Sequence, residues 1–189
     1  NFLGVKKGGK YVILRFVSWA AIHDIGHSGL SLQIKKQAVK ELSKYAKVFI
    51  SSEGELPEDL KQYQIKIPPE KMHDILYFAT LYVGEGATMA SECAMLGTPA
   101  IYVNSLTSGT LEEQQEYGLI YGFRNSKGVL ESASELIQMP NIKQEYKKRR
   151  QKILSEKIDV TQFMVWFVEN YPKSFEQMKV NPEYQYNFK

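Results

Sequence analysis

Short β-branched and aromatic runs that alternate with helical segments constrain the fold of this chain more than any other feature. Each run is followed by a longer segment whose apolar residues recur at helical spacing. This alternation is typical of βαβ units and a parallel sheet. Because such crossovers are right-handed, we predict an α/β fold, a Rossmann-like doubly wound and mainly parallel sheet of about six strands with C-terminal helices. The predicted strands are Tyr11–Val17, Lys47–Ser51, Gln64–Ile67, Leu81–Val83, Ala100–Val103 and Leu119–Tyr121.

The helical segments begin and end at residues that suit helix ends. Ser31 suits an N-cap, Pro69 suits a first turn, and Gly97 suits a C-terminal stop. The polar, Tyr-rich segment after Pro172 is predicted to be irregular. The predicted helices are Leu32–Tyr45, Pro69–Ala79, Thr88–Leu96, Leu111–Tyr117, Lys127–Gln138, Ile142–Lys157 and Val160–Tyr171.

Composition excludes several classes of protein. Hydrophobic residues make up 43% of the chain and charged residues 24%, as in an ordinary globular domain. The most apolar stretch, Phe163–Val168, is too short to span a bilayer, and no signal peptide is evident. Cys93 is the single cysteine, so no internal disulfide can form, and we expect a cytoplasmic protein. The net charge of +3 is small and the Tyr residues are scattered, so no nucleic-acid partner is predicted.

Three loops should form the ligand site, because ligands of open parallel sheets bind beyond the carboxyl ends of the strands. These loops are Ser18–Ser31, Gly84–Thr88 and Asn104–Thr110. In the second loop, two glycines let the backbone turn sharply, and the free N–H groups of the following helix favour a phosphate. Glu92 lies on the first turns of that helix, from where its carboxylate can reach ribose hydroxyls. Taken alone, the motif favours a tight turn capped by Thr88 over a ligand site.

A longer pattern around this loop resembles the donor-nucleotide site of GT-B glycosyltransferases. The chain is similar to the lipid-linked N-acetylglucosaminyltransferase of peptidoglycan synthesis and to the UDP-N-acetylglucosamine 2-epimerases. The stretches that carry the resemblance are Ile65–Pro69, Asp74–Ala79, Tyr82–Thr88, Ser91-Glu92 and Gly97–Ile101. The resemblance implies that the backbone at Ile67 meets the base, that Gly86, Ala87 and Thr88 meet the diphosphate, and that Glu92 holds the ribose. Gly84 and Ser91 belong to the same pattern.

The whole chain resembles more closely the C-terminal half of an uncharacterised prokaryotic family with a GT-B-like fold. The shared stretches are Arg15–Trp19, His23–His27, Ser51–Glu53 and Gly84–Pro99. The resemblance implies a nucleotide-sugar-binding domain over residues 1–157. Residues 158–189 would form a C-terminal helix and tail that pack on an N-terminal domain. Because the chain begins without Met, we expect it to be a fragment lacking that domain.

The loop after the first strand supplies further candidates. His23 and His27 can donate to a diphosphate or act as acid or base near neutral pH, and we name them as catalytic candidates. Ser18 can contact a phosphate in the same loop. Gly26 argues against a helix that would bring both histidines onto one metal, so no metal site is predicted. The alternative is a polar surface loop.

Three further polar residues are candidates for substrate binding, each with a structural alternative. Arg15 in an apolar strand can meet a phosphate or pair with Glu53, and the pairing is the favoured interpretation. Asn104 can face the crevice or form an Asx-turn. Gln114 resembles a residue that touches the donor sugar in the peptidoglycan enzyme, and its alternative is a solvated helix start.

Two C-terminal features concern partners. The basic run Lys143–Lys152 is interpreted as a solvated helix face, with an anionic membrane surface as the alternative, which would place the protein at the inner face of a membrane. The apolar helix around Phe163–Val168 is too apolar to be free. We expect it to pack on the N-terminal domain or to make the fragment a homodimer.

The sequence therefore predicts the donor half of a GT-B glycosyltransferase, which binds a nucleotide-diphosphate sugar, with uridine as the expected base, and needs no cofactor. Alone, the fragment is expected to bind without turnover. Alternatives are a sugar-nucleotide 2-epimerase and a non-catalytic nucleotide-sugar-binding or regulatory module.

Overall fold

The computed structural model describes residues 3–19 and 29–189 of the chain. The chain divides into two compact units, Asn1–Arg150 and Gln151–Lys189. The first unit holds the sheet and the candidate site, and the second is helical.

The first unit contains a five-stranded parallel sheet in the order β2-β1-β3-β4-β5. β3 and β4 are apolar and buried at every position, because helices cover both faces of the sheet. This confirms the predicted Rossmann-like class. The strands are β1 (Tyr11–Phe16), β2 (Lys47–Ser52), β3 (Leu81–Gly84), β4 (Ala100–Val103) and β5 (Ile120–Phe123).

One of the six predicted strands, Gln64–Ile67, does not form, and only a single bridge between Gln64 and Ile50 remains of it. Ile50 donates to the Tyr63 carbonyl and accepts from Ile65, and the pairing then stops. Pro68 and Pro69 follow directly, and proline has no N–H group for a ladder. The run therefore ends as an edge contact on β2.

The helices of the first unit follow the strands as predicted, with shifted ends. Ser31 caps α1 by accepting from the N–H of Ile34, and Gly97 ends α4 in the left-handed conformation at φ 74°. Pro69 opens a 3₁₀ turn before α3. The helices are α1 (Leu32–Leu42), α2 (Glu58–Lys61), α3 (Met72–Phe78), α4 (Ala87–Leu96), α5 (Gly109–Glu116), α6 (Val129–Gln138) and α7 (Ile142–Glu156).

Basic side chains of α7 close the carboxyl ends of three other helices. Lys143 Nζ donates to the carbonyls of Tyr77 and Ala79 at the end of α3, at 2.7 and 3.0 Å. Arg150 Nε donates to the Met95 carbonyl of α4, and Arg149 Nη1 donates to the Gly118 carbonyl just after α5, at 2.5 and 2.6 Å. Cations suit these positions because carbonyl groups at a helix end are unpaired and carry the negative end of the dipole. The basic run is therefore partly structural and not only a solvated face.

The second unit contains α8 (Val160–Glu169) and α9 (Lys173–Val180), followed by a 3₁₀ turn over Pro182–Asn187. The prediction of an irregular segment after Pro172 is wrong. Residues 176–179 are good helix formers, and Ser174 Oγ donates to the Phe167 carbonyl at 2.5 Å. The sequence lacks the apolar periodicity that would have revealed α9.

The tail of the second unit folds back onto α8. The ring of Trp166 lies 4.9 Å from that of Tyr184, and Phe163 lies 5.6 Å from Phe188. The aromatic side of α8 is thus covered from within the unit, whereas Met164 and Val168 remain 59% and 72% exposed. None of the helices in the described residues is both long enough and apolar enough to cross a bilayer.

Candidate functional site

The candidate site lies where the strand order reverses. β1 connects to β2 on one side of the sheet, and β3 continues to β4 on the other, so the loops after β1 and β3 separate and leave a crevice. A cavity of about 620 Å³ occupies this position, and the loops after β1, β3 and β4 line it. Its described lining includes Arg15, Ser18, Gly86, Glu92 and Asn104.

The elbow between β3 and α4 presents backbone amides to this crevice. Gly86 is the N-cap of α4 and has no side chain to cap the helix. The first helical hydrogen bond runs from Ala90 N–H to the Gly86 carbonyl at 3.2 Å, so the amides of Ala87, Thr88 and Met89 precede the ladder. Thr88 is the second helical residue and not the cap. An uncapped helix start of this kind favours an anion.

The two glycines of the elbow have different reasons to be glycine. A Cβ at Gly84 would clash with the Tyr82 hydroxyl and approach Arg15 Cβ to 2.7 Å, and Gly84 does not line the crevice. A Cβ at Gly86 would meet Arg15 Cγ only at 3.7 Å, an ordinary contact, and its φ of −87° suits any residue. Packing therefore requires glycine at position 84. At position 86 packing does not require glycine, and its absent side chain only leaves more space in the crevice.

Tyr82 stabilises the elbow through a hydrogen bond. Its hydroxyl donates to the Gly86 carbonyl at 3.2 Å. Burial raises the pKa of Tyr82 well above its usual value, so the hydroxyl stays protonated and remains a donor. The elbow is thus fixed by a side chain of the strand that precedes it.

Glu85 is a buried carboxylate that the sequence analysis did not single out. It accepts hydrogen bonds from the amides of Val17 and Leu30 at 3.0 and 2.7 Å, and from Lys35 Nζ at 3.1 Å. These donors come from the end of β1, the segment before α1, and α1 itself. Glu85 therefore ties the elbow to the chain on both sides of residues 20–28. The only feature of the sequence that could have pointed to this role is an acidic residue between two glycines.

Glu92 lines the crevice as its predicted role requires. Its Oε1 lies 3.2 Å from Nε2 of His73, and its side chain is 35% exposed. The contact with His73 fixes the carboxylate from the side of α3 without burying it. Glu92 remains available to a ligand in the crevice.

Arg15 adopts the structural pairing that the sequence analysis favoured. Its guanidinium donates to Glu53 Oε1 at 2.6 Å and to Ser51 Oγ at 2.8 Å. Glu53 Oε2 also accepts from the amide of Ser18 at 3.2 Å. Among the described lining residues Arg15 is the one cation, and its charge is matched by Glu53.

The remaining predicted residues are placed as follows. Asn104 forms the Asx-turn given as its alternative, since its Oδ1 accepts from Leu106 N–H at 2.9 Å while its Nδ2 donates to the Glu85 carbonyl. Gln114 Nε2 donates to Ser91 Oγ at 2.9 Å, which links α5 to α4 away from the crevice lining. Ile67 lies half-buried in the loop before Pro68, also outside the lining.

His23 and His27 lie outside the described residues. Within the described parts of the chain, no group of three or more His, Cys, Asp or Glu residues is arranged to hold a metal ion.

Comparison with known proteins finds similarity in fold but not in sequence. No family model matches this sequence, and no curated protein matches it. Solved structures do match: the spinosyn rhamnosyltransferase complexed with spinosyn aglycone has a TM-score of 0.54 at 10% identity, over 80% of this chain and 43% of that chain. The chain has a GT-B-like fold.

Two further structures share this fold. A Streptomyces sp. SF2575 glycosyltransferase complexed with thymidine diphosphate matches with a TM-score of 0.50 and 12% identity, over 82% of this chain and 40% of that chain. A proposed UDP-N-acetylglucosamine 2-epimerase from Listeria monocytogenes has the same TM-score at 13% identity, over 72% and 39%. The chain thus spans about 40% of the length of these two proteins.

Proposed function

We propose that the crevice at the carboxyl ends of β1, β3 and β4 binds the diphosphate and ribose of a nucleotide sugar, with uridine as the favoured base. The observation that carries the proposal is the uncapped start of α4, which opens into the crevice at the reversal of the strand order. Glu92 lies five residues along the same helix from Ala87 and lines the same crevice. One helix therefore supplies donors for phosphate and an acceptor for hydroxyl groups.

Backbone dipoles carry this site more than side-chain charge does. The one described cation in the lining is paired with Glu53, and Glu85 and Glu92 add negative charge, offset in part by Lys35. The diphosphate must then be held chiefly by the amides of Ala87, Thr88 and Met89. Fixed donors of this kind also suit catalysis, because they stabilise the negative charge that develops on a leaving diphosphate.

The proposed reaction is glycosyl transfer to an acceptor. Among the described lining residues, the carboxylates of Glu53 and Glu85 are already engaged by donors and Glu92 is assigned to the ribose, so no carboxylate is left to take a proton from an acceptor hydroxyl. We therefore expect the 189-residue chain to bind UDP and UDP-sugar without turning them over. Product analysis after mixing with UDP-N-acetylglucosamine tests this expectation, and free UDP or an epimerised sugar would contradict it.

Calorimetric titration with UDP tests the binding proposal directly. Ala87→Pro removes one N–H while keeping the fold, since proline suits the first helical position and Gly86 already has the extended ψ of 118° that precedes proline well. Losing one charge-assisted hydrogen bond should weaken UDP binding roughly tenfold. Glu92→Ala should weaken it to a similar degree through loss of the ribose contact.

The matched control is Glu135→Ala, which removes an exposed carboxylate of α6 that does not line the crevice. It should leave UDP affinity unchanged. The proposal fails if the wild-type chain does not bind UDP, or if Ala87→Pro and Glu92→Ala both bind UDP as the wild type does.

A further inference from the structure

A second and larger cavity, of about 1130 Å³, lies at the opposite edge of the sheet. Tyr11, the first residue of β1, and Thr80, just before β3, both line it, so it opens at the amino ends of the strands. The proposed nucleotide site makes no use of this cavity. Its lining lies within the first unit, between α3, α7 and the segment that precedes β1.

One wall of this amino-edge cavity is apolar and exposed. Phe78 is 68% exposed, Tyr77 is 48% exposed, and their rings meet edge to face at 4.9 Å. Met139 adds a third exposed apolar side chain at 37%. Large apolar side chains grouped on a concave surface indicate a binding site more than a solvated surface.

The other wall is cationic. Lys6, Lys7, Lys147 and Arg150 line it, and among the described lining residues Asp74 is the one acid. Arg150 uses only Nε to close α4, which leaves the outer nitrogens of its guanidinium for another acceptor. No described carboxylate forms a salt bridge with Lys6, Lys7 or Lys147. The cavity therefore combines unneutralised positive charge with exposed apolar surface.

We infer that the amino-edge cavity binds an amphipathic anion, a molecule with a phosphate or carboxylate head and an apolar tail. The head lies among Lys6, Lys7 and Lys147, and the tail lies on Tyr77, Phe78 and Met139. A bare phosphate would leave most of a cavity of 1130 Å³ unfilled, and a neutral apolar molecule would leave the cations without a partner. Both parts of the ligand are needed to match both walls.

Calorimetric titration of the 189-residue chain with monomeric dodecyl phosphate, below its micelle concentration, tests the inference. Dodecyl phosphate should bind at least roughly tenfold more tightly than inorganic phosphate, because the tail adds apolar burial. It should also bind more tightly than dodecyltrimethylammonium, which has the same tail and the opposite charge. Equal binding of dodecyl phosphate and either comparison compound would overturn the inference.

Neighbouring lysines of α7 provide a matched pair of variants. Lys147 lines the cavity, whereas Lys148 is exposed and does not line it. Lys147→Glu should weaken dodecyl phosphate binding roughly fivefold or more, and Lys148→Glu should leave it nearly unchanged. Equal weakening by the two substitutions would show attraction by net charge alone and would overturn the site.

The apolar wall has its own control. Phe78→Ser should weaken binding of dodecyl phosphate without affecting that of inorganic phosphate. Phe175→Ser, at a phenylalanine that is 47% exposed in the second unit, should have no effect on either. If Phe78→Ser has no effect, the tail does not lie on this wall and the inference is wrong.

Experiments with vesicles distinguish a membrane lipid from a free amphiphile as the ligand. Sedimentation with phosphatidylcholine vesicles, with and without phosphatidylglycerol, measures docking on an anionic bilayer. Binding to phosphatidylglycerol vesicles that Lys147→Glu abolishes supports the cavity with a membrane lipid as its ligand. Binding to dodecyl phosphate without binding to vesicles supports it with a free amphiphile. Binding to neither overturns it.

Discussion

Gly84 and Gly86 show at the residue scale how two members of one motif can serve different ends. Gly84 is enclosed by Tyr82 and Arg15, while Gly86 faces the crevice with room for a side chain. The sequence alone treats them alike, because both stand in the same strand-to-helix turn. Only the surroundings of each Cα separate a packing requirement from a binding requirement.

Gly84→Ala should destabilise the domain by about 2 kcal/mol, because its Cβ forces apart buried groups that cannot easily move. Gly86→Ala should change the free energy of unfolding by no more than about 0.5 kcal/mol, since the protein leaves room for the methyl group. Yet Gly86→Ala should weaken UDP binding roughly tenfold, because the methyl group occupies ligand space. Urea denaturation and calorimetry together measure both effects. A large loss of stability in Gly86→Ala would contradict the division of roles.

The Arg15–Glu53 pair leads to a second prediction at this scale. Glu53→Gln removes the carboxylate charge beside Arg15 but keeps an oxygen that can accept from the guanidinium. The unmatched positive charge in the crevice should then tighten UDP binding roughly threefold. Arg15→Met is the converse variant and should weaken it. Unchanged affinity in Glu53→Gln would show that the ligand does not sense this pair.

At the scale of elements, Lys143 of α7 has a titration that differs between the folded and unfolded states. Burial lowers its pKa from 10.5 to about 8, although its ammonium donates to the Tyr77 and Ala79 carbonyls and to Thr98 Oγ1. Below pH 8 both states carry the proton, and stability does not change with pH through this group. Between pH 8 and 10.5 the unfolded state holds more protons, so stability rises with pH.

Comparison of the wild type with Lys143→Met isolates this effect, because other groups titrate in both proteins. The difference in unfolding free energy should shift in favour of the wild type by roughly 1 to 2 kcal/mol between pH 8 and 10. It should be flat from pH 6 to 7. Lys148→Met, at an exposed lysine of the same helix, should show no such trend. Urea denaturation at each pH supplies the values, and a flat difference above pH 8 would refute the assignment.

The same scale shows what sequence pattern can and cannot predict. β3 and β4 were predictable because strands covered on both faces are continuously apolar, and α4 because Gly97 marks its end. The strand at Gln64–Ile67 failed because two prolines end its ladder, and α9 was missed because its residues favour a helix without marking a buried face. Local rules find elements whose own residues carry the signal.

The residues of the candidate site also differ in how far the sequence could predict them. Gly86, Ala87 and Thr88 could be located from sequence, since their position depends on one strand and the next helix. The roles of Glu85 and Gln114 could not, because their partners are far away along the chain: Leu30 and Lys35 for the first, Ser91 for the second. Which distant segments meet is a property of the whole sheet.

At the scale of the whole molecule, the second unit retains an unpaired apolar surface. Its tail covers the aromatic side of α8, while Met164, Val165 and Val168 stay more than half exposed. We predict that the 189-residue chain associates through this surface at micromolar concentrations and higher. Light scattering across a concentration series should show a rising mass. Val168→Ser combined with Met164→Ser should restore a monomer, whereas a chain that is monomeric throughout would contradict the prediction.

The side chains of Lys143, Arg150 and Arg149 on α7 donate to carbonyls at the ends of α3, α4 and α5. Because one helix carries all three donors, the three ends depend on the same helix. A fluctuation that lifts α7 from the domain removes a donor from the carbonyls at all three ends at once. We therefore expect the carboxyl ends of these helices to open together in one unit of local unfolding. Such opening would alter the amino-edge cavity, which residues of α3 and α7 line.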